Sequence, residues 1–211
     1  MSDRYGGMEF GLTHLVRAFH LNWRYEGSDI EVLTSYTDRM PPDLVEAVLL
    51  DAGRLAEPTV PAWVFPTLWS IGTERSHDLQ EHGRDSEEWL RQIIALCRGR
   101  LRREGQSHPE TVPPSPYRHL TGAVLDEILL ASPELLERAH REKWSSIPGT
   151  VPALHHVAEH VCPDLAFRYL LRALTLYSPP VSRTQYDRYV DLGRQLEYGE
   201  LLVEGYEHLT A

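Results

Sequence analysis

Ser86-Glu87-Glu88-Trp89-Leu90-Arg91-Gln92-Ile93-Ile94-Ala95-Leu96-Cys97-Arg98-Gly99-Arg100-Leu101-Arg102-Arg103 is the stretch whose reading decides the fold. Trp89, Leu90, Ile93, Ile94, Cys97 and Leu101 recur at three- and four-residue spacing, which lines them along one face of a helix. The ends carry matching electrostatics. Glu87 and Glu88 suit the positive end of the helix dipole, and the basic turn 98–103 suits the negative end, just before Gly105. Ser86 is the expected N-cap, its hydroxyl accepting from first-turn N–H groups.

The same periodicity extends in both directions. Upstream it predicts a helix over 10–20, on Phe10, Leu12, Leu15, Val16 and Phe19, and a second from Asp29, behind Ser28, to about Arg39. Pro41 and Pro42 open a third, over 43–57, because proline is tolerated where the first-turn N–H would be unsatisfied anyway. A shorter apolar segment covers 63–71, and the polar stretch 73–85 reads as a loop. Residues 104–116 are rich in Pro and poor in apolar side chains, as a semi-rigid linker is. Beyond them helices are expected over 118–130, 133–144, 151–161, 163–177 and 183–208. No segment alternates with period two. The expected fold is therefore all-α, a helical bundle or short solenoid-like array of about nine to ten helices. Residues 1–103 form one domain, 104–116 a linker and 117–211 a second domain or extension.

Composition excludes several classes of function. The 211 residues are 42% hydrophobic and 25% charged, enough apolar surface for a core. The formal charge is −10 and is spread evenly, with 12 Arg against 17 Asp and Glu in residues 1–105 and 9 Lys and Arg against 14 in the rest. A field of that sign repels phosphate backbones and anionic membranes and steers cationic partners inward. Only Cys97 and Cys162 are present, far apart and within apolar patterns, so neither a disulfide framework nor a zinc knuckle is expected. No run of about 18 apolar residues occurs and the start lacks an apolar signal segment, which points to the cytoplasm. Arg supplies all but one of the basic residues, a bias of GC-rich bacterial coding. Nothing calls for a cofactor or fixes the oligomeric state.

Phe19-His20-Leu21-Asn22-Trp23, followed by a short acidic helix, a Pro-Pro start and later Ser86-Glu87-Glu88-Trp89-Leu90, resembles the small helical immunity proteins of bacterial contact-dependent growth inhibition systems. In that family a Phe-His-x-x-Trp or Leu-His-x-x-Trp segment ends the first helix and a Trp-Leu pair opens the last. The resemblance spans about residues 9–101 and leaves the remainder without a counterpart. It implies a cytoplasmic protein that binds a cognate toxin domain and blocks it. The acidic composition is compatible with a basic partner.

Individual residues carry competing readings. Phe19, His20, Trp23, Trp89 and Leu90 are expected in the core, with an interface hot spot as the alternative. Glu74, Asp78, Glu81, Asp85, Glu87 and Glu88, on a loop and a helix start, are the expected partner-facing patch, with Asp29 and Glu31 as a second choice and an ordinary solvated surface as the alternative. His156-Val157-Ala158-Glu159-His160 fits the inverted zinc-hydrolase pattern, with two histidines one turn apart and a glutamate base between them. It needs a third ligand, for which His155, Cys162, Glu197, Glu200 and Glu204 are candidates. A polar helix face accounts for the same letters, and no metal is the expectation. A zinc hydrolase and a helical adaptor are the alternatives to the immunity reading. No nucleophile elbow, phosphate-binding loop, dinucleotide fingerprint or EF-hand loop occurs.

Overall fold

The computed structural model describes residues 5, 9–106, 111–141, 147, 149–198 and 200–210. Among these the chain is all-α. In order come α1 (Gly11–Leu15), α2 (Asp29–Arg39), α3 (Pro42–Leu55), α4 (Val64–Gly72), α5 (Ser86–Arg103), α6 (Thr121–Arg141), α7 (Thr150–His156), α8 (Pro163–Tyr177), α9 (Arg183–Gln195) and α10 (Glu200–Glu204). Short 3-10 turns and one π turn join them, and Val181 and Thr210 form an isolated parallel bridge. No described helix is long and apolar enough to cross a membrane.

The chain divides into two compact units, and the boundary falls between Pro114 and Ser115. In the first unit, Phe10–Pro114, α3 packs against α1 and α5, and α2 lies against α5. Leu44, Val45, Val48, Leu49, Ala52 and Leu55 of α3 are buried, as are Trp89, Leu90, Ile93, Cys97 and Leu101 of α5. Each buried Leu, Ile or Val stabilises by roughly 1.5–3 kcal/mol before its ordering entropy is counted. Ser28 caps α2 in a full capping box, its hydroxyl accepting from the Glu31 N–H while the Glu31 carboxylate accepts from the Ser28 N–H.

Several boundaries differ from those expected. The first helix is α-helical only over Gly11–Leu15 and tightens to a 3-10 turn over Val16–Phe19. Asp85, not Ser86, caps α5, its carboxylate accepting from the Glu88 N–H at 2.8 Å; Asp85 holds the extended backbone that a cap needs, and Ser86 is already the first helical residue. The end of the expected linker is no free spacer. Val112 sits against Gly53 of α3 so closely that a Cβ there would collide with it, and Arg54 donates to the Pro113 carbonyl at 3.3 Å. Residues 107–110 of that linker lie outside the described residues.

The second unit starts at Ser115 and includes Glu9, which pairs with Arg172 of α8 at 3.0 Å. Its centre is α8, buried along nearly its whole length and in contact with α6 and α7. Two charges on that helix, Asp164 and Arg168, are buried together at 3.4 Å, and the Tyr198 hydroxyl donates to Asp164. The pair expected as separate helices over 118–130 and 133–144 is one helix, α6, running through Pro133 up to Arg141; the expected end at Trp144 lies outside the described residues. The long helix expected over 183–208 is broken: α9 stops at Gln195, Glu197 takes a left-handed φ of 60°, and α10 and a 3-10 turn follow.

Candidate functional site

Phe19 and Trp23 of the Phe-His-x-x-Trp segment and Trp89 of the Trp-Leu pair meet in the first unit, around a residue in the loop between α4 and α5. That residue is His77. Its side chain is wholly buried, and Phe19, Trp23, Trp69, His82 and Trp89 surround it with ring centroids 4.4–5.8 Å away. The His82 ring stacks on it at 4.7 Å, almost parallel. Trp69 donates its indole N–H to His77 Nδ1 at 3.0 Å, so the neutral ring carries its proton on Nε2, which points to Asp29 Oδ2 at 3.5 Å. Asp29 is held in turn by Arg84, whose Nε donates to Oδ2 at 2.6 Å and whose terminal nitrogen reaches Oδ1. Arg84 also lies over the Trp89 ring at 5.5 Å.

Burial, with the positive field of His82 adding to it, pushes the His77 imidazole down to about 4; Asp29 pulls the other way without prevailing. Burial alone would raise the Asp29 carboxyl, but the bonds and charge of Arg84 outweigh it and hold the group below the usual carboxylate range. The imidazole is therefore neutral and the carboxylate ionised near neutrality. A buried histidine in that state serves as a hydrogen-bonding pillar.

The pillar organises the loop above it. Trp23 donates its indole N–H to the Ser76 carbonyl at 2.9 Å, and the Ser76 hydroxyl donates to the carbonyl of Phe19. Glu74 and Arg75 both take left-handed backbone conformations, φ 51° and 62°, which close the end of α4 as the Arg75 N–H reaches the Ser70 carbonyl at 3.0 Å. Asp78 accepts from the backbone N–H groups of Gln80 and Glu81. The loop is thus determined residue by residue and not a loose tether.

Of the expected acidic patch, Glu74, Glu81, Asp85, Glu87 and Glu88 are exposed and Asp78 is half-buried. Asp78 and Asp85 spend oxygens on local backbone, and Glu88 pairs with Arg91. The second choice does not hold for Asp29, which is 6% exposed and engaged by Arg84 and His77; burial leaves it nothing to offer a partner. Glu31 is exposed, but its carboxylate closes the capping box on Ser28. His20 is likewise not core. It stands half exposed, accepting the Asn22 N–H on Nδ1 and facing Glu26 with Nε2 at 2.9 Å. Phe19, Trp23, Trp89 and Leu90 are buried.

His77, Leu79 and Arg84 went unmarked in the polar stretch 73–85. One signal was available: indoles buried at Trp23 and Trp69 need acceptors, and a loop carbonyl (Ser76) and an imidazole (His77) supply them.

The histidine pattern of the second unit is arranged differently from a zinc site. His156 ends α7, and residues Val157–Val161 form a π turn whose last carbonyls, of Glu159 and His160, accept from Arg118 at 3.0 Å each. Glu159 sits on the surface near His155 (3.5 Å) and His160 (3.3 Å), with the His156 and His160 rings 4.8 Å apart. Cys162 is buried, and Glu197 accepts from the Tyr117 hydroxyl. Among the described residues no three His, Cys, Asp or Glu side chains gather in a way that could hold a metal ion. The side chain of Glu200 lies outside that description.

Comparison of the chain with protein-family models, with curated proteins and with solved structures finds no match.

Proposed function

We propose that the chain is an immunity protein, a cytoplasmic binder that neutralises a cognate bacterial toxin domain by masking it. The observation that carries this reading is the surface raised on the His77 pillar: exposed Glu74, Glu81, Asp85, Glu87 and Glu88 on a loop and helix start whose backbone is fixed by buried partners. A binder that must seize a toxin before it acts gains from charges that are already placed, because steering speeds encounter and a preset loop loses little entropy on docking. With a net charge of −10, the chain suits a basic partner and is ill-suited to nucleic acid or an anionic membrane.

The test is protection. Any candidate toxin domain found encoded beside this chain's gene is expressed in susceptible cells with and without the chain, and the purified pair is passed over a sizing column. Restored growth together with a stoichiometric complex is the expected result. Continued killing with no complex would remove the reading.

A further inference from the structure

Segment 20–26 carries three bulky side chains in five positions, and they go opposite ways. Trp23 is buried, whereas Leu21 and Tyr25 each stand 89% exposed. Single exposed apolar residues are ordinary on protein surfaces. These two differ because the backbone beneath them is held in place. Backbone bonds run from the N–H of Trp23 to the His20 carbonyl (2.9 Å), from that of Tyr25 to the Asn22 carbonyl (3.0 Å) and from that of Glu26 to the Trp23 carbonyl (2.9 Å). His20 braces both ends of the turn through Asn22 and Glu26, and Trp23 roots it by its bond to Ser76.

We propose that Leu21 and Tyr25 are the apolar anchors of the toxin-masking face, an assignment that rests on the immunity reading above. Tyrosine on a fixed backbone is a favourable interface anchor: it has a large contact area and few rotors to freeze. The segment is tied to the acidic loop, since Arg24 meets His82 at 3.2 Å and Trp23 lies against the His82 ring at 5.2 Å. That adjoining loop sets the sign of the occupant. It carries Glu74, Asp78, Glu81 and Asp85 against Arg75 and Arg84, and Arg84 is committed to Asp29. Glu26 is occupied by His20. The partner that fits is a basic protein surface with an apolar recess for Leu21 and Tyr25. A second copy of this chain fits poorly, because a two-fold interface centred here would set acidic loop against acidic loop.

The experiment titrates the full-length chain with a catalytically inactivated form of the toxin domain encoded beside its gene, by calorimetry. A variant carrying Leu21→Ser and Tyr25→Ser is compared with a control carrying Leu129→Ser and Leu136→Ser, exposed leucines of the second unit. The first variant is expected to lose affinity by on the order of 100-fold. The control should stay within about threefold. Thermal midpoints by circular dichroism should be unchanged, since the replaced side chains touch solvent. If wild type binds and the Leu21/Tyr25 variant binds equally well, the anchors are refuted while the immunity reading stands. If wild type binds no toxin, both fall. If the wild-type chain is instead a dimer that the double substitution dissociates, the occupant is a second copy and the proposal is overturned.

Discussion

At the residue scale the molecule turns on His77. Its imidazole is depressed to about 4 in the folded chain and titrates near 6.5 once unfolded. Between those values the unfolded chain binds the extra proton, so stability is fully present above about pH 6.5 and is lost as pH falls toward about 4. The loss from this one group is on the order of 3 kcal/mol. Asp29, held below its ordinary value, adds a second loss in the same direction at still lower pH, as its carboxylate protonates. Urea midpoints followed by far-UV circular dichroism at pH 4.5 and pH 7 should therefore differ steeply in wild type. In His77→Gln the slope of that window should flatten, and equal slopes would mean that another group carries the acid sensitivity. Apart from the indoles' need for acceptors, none of this was legible in the polar stretch 73–85. A buried histidine is made by what packs on it, and Phe19, Trp23, Trp69 and Trp89 come from three other segments. His20 was misread for the complementary reason. Helical spacing placed it with Phe19, but the tightening of Val16–Phe19 into a 3-10 turn ends the helix before it.

At the element scale the helices with unbroken periodicity and a capping side chain (α2, α5) or a first-turn proline (α3, α8) were readable to within a residue or two. Where one signal overrode another, the reading failed. By its sequence Pro133 marks a boundary, yet α6 runs through it because Val124, Ile128, Ala131 and Leu135 keep one buried face on both sides. Proline there removes a helical N–H and crowds the carbonyl of Leu129. Pro133 is itself exposed, so Pro133→Ala should raise stability by about 1 kcal/mol without opening a cavity. A lower urea midpoint would show that proline's restraint of the unfolded chain outweighs its cost in the helix. The break after α9 was missed because Glu197, and no glycine, supplies the left-handed turn. That turn folds α10 back so that a Cβ on Gly193 would lie 2.7 Å from a methyl of Val203. Gly193→Ala should cost about 1–3 kcal/mol by overpacking; a neutral outcome in the same titration would indicate that Val203 can swing aside.

At the scale of the whole molecule, charge was the most legible property and the division into units the less legible one. Composition disclosed an acidic chain, and of the six acidic residues expected on the loop and helix start, Glu74, Glu81, Asp85, Glu87 and Glu88 are exposed while Asp78 is half-buried. The Pro-rich stretch marked a boundary but hid that Val112 and Pro113 pack against α3. If the masking reading holds, Glu81→Lys with Glu87→Lys should slow toxin association by about tenfold at low salt and leave dissociation nearly unchanged, since exposed charges act chiefly on encounter. Stopped-flow measurement at two ionic strengths would separate this from a contact role, in which dissociation would quicken instead. The three indoles gathered on His77 have a further consequence, an optical one. Of the chain's five tryptophans, Trp23, Trp63, Trp69 and Trp89 all belong to the first unit, while the described core of the second is rich in tyrosine, at Tyr169, Tyr177, Tyr189 and Tyr198. Indole emission excited at the red edge of the absorption band thus watches chiefly one half of the protein. Protonating the central imidazole should dim it, so the chain carries its own lamp over the footing of its acidic loop.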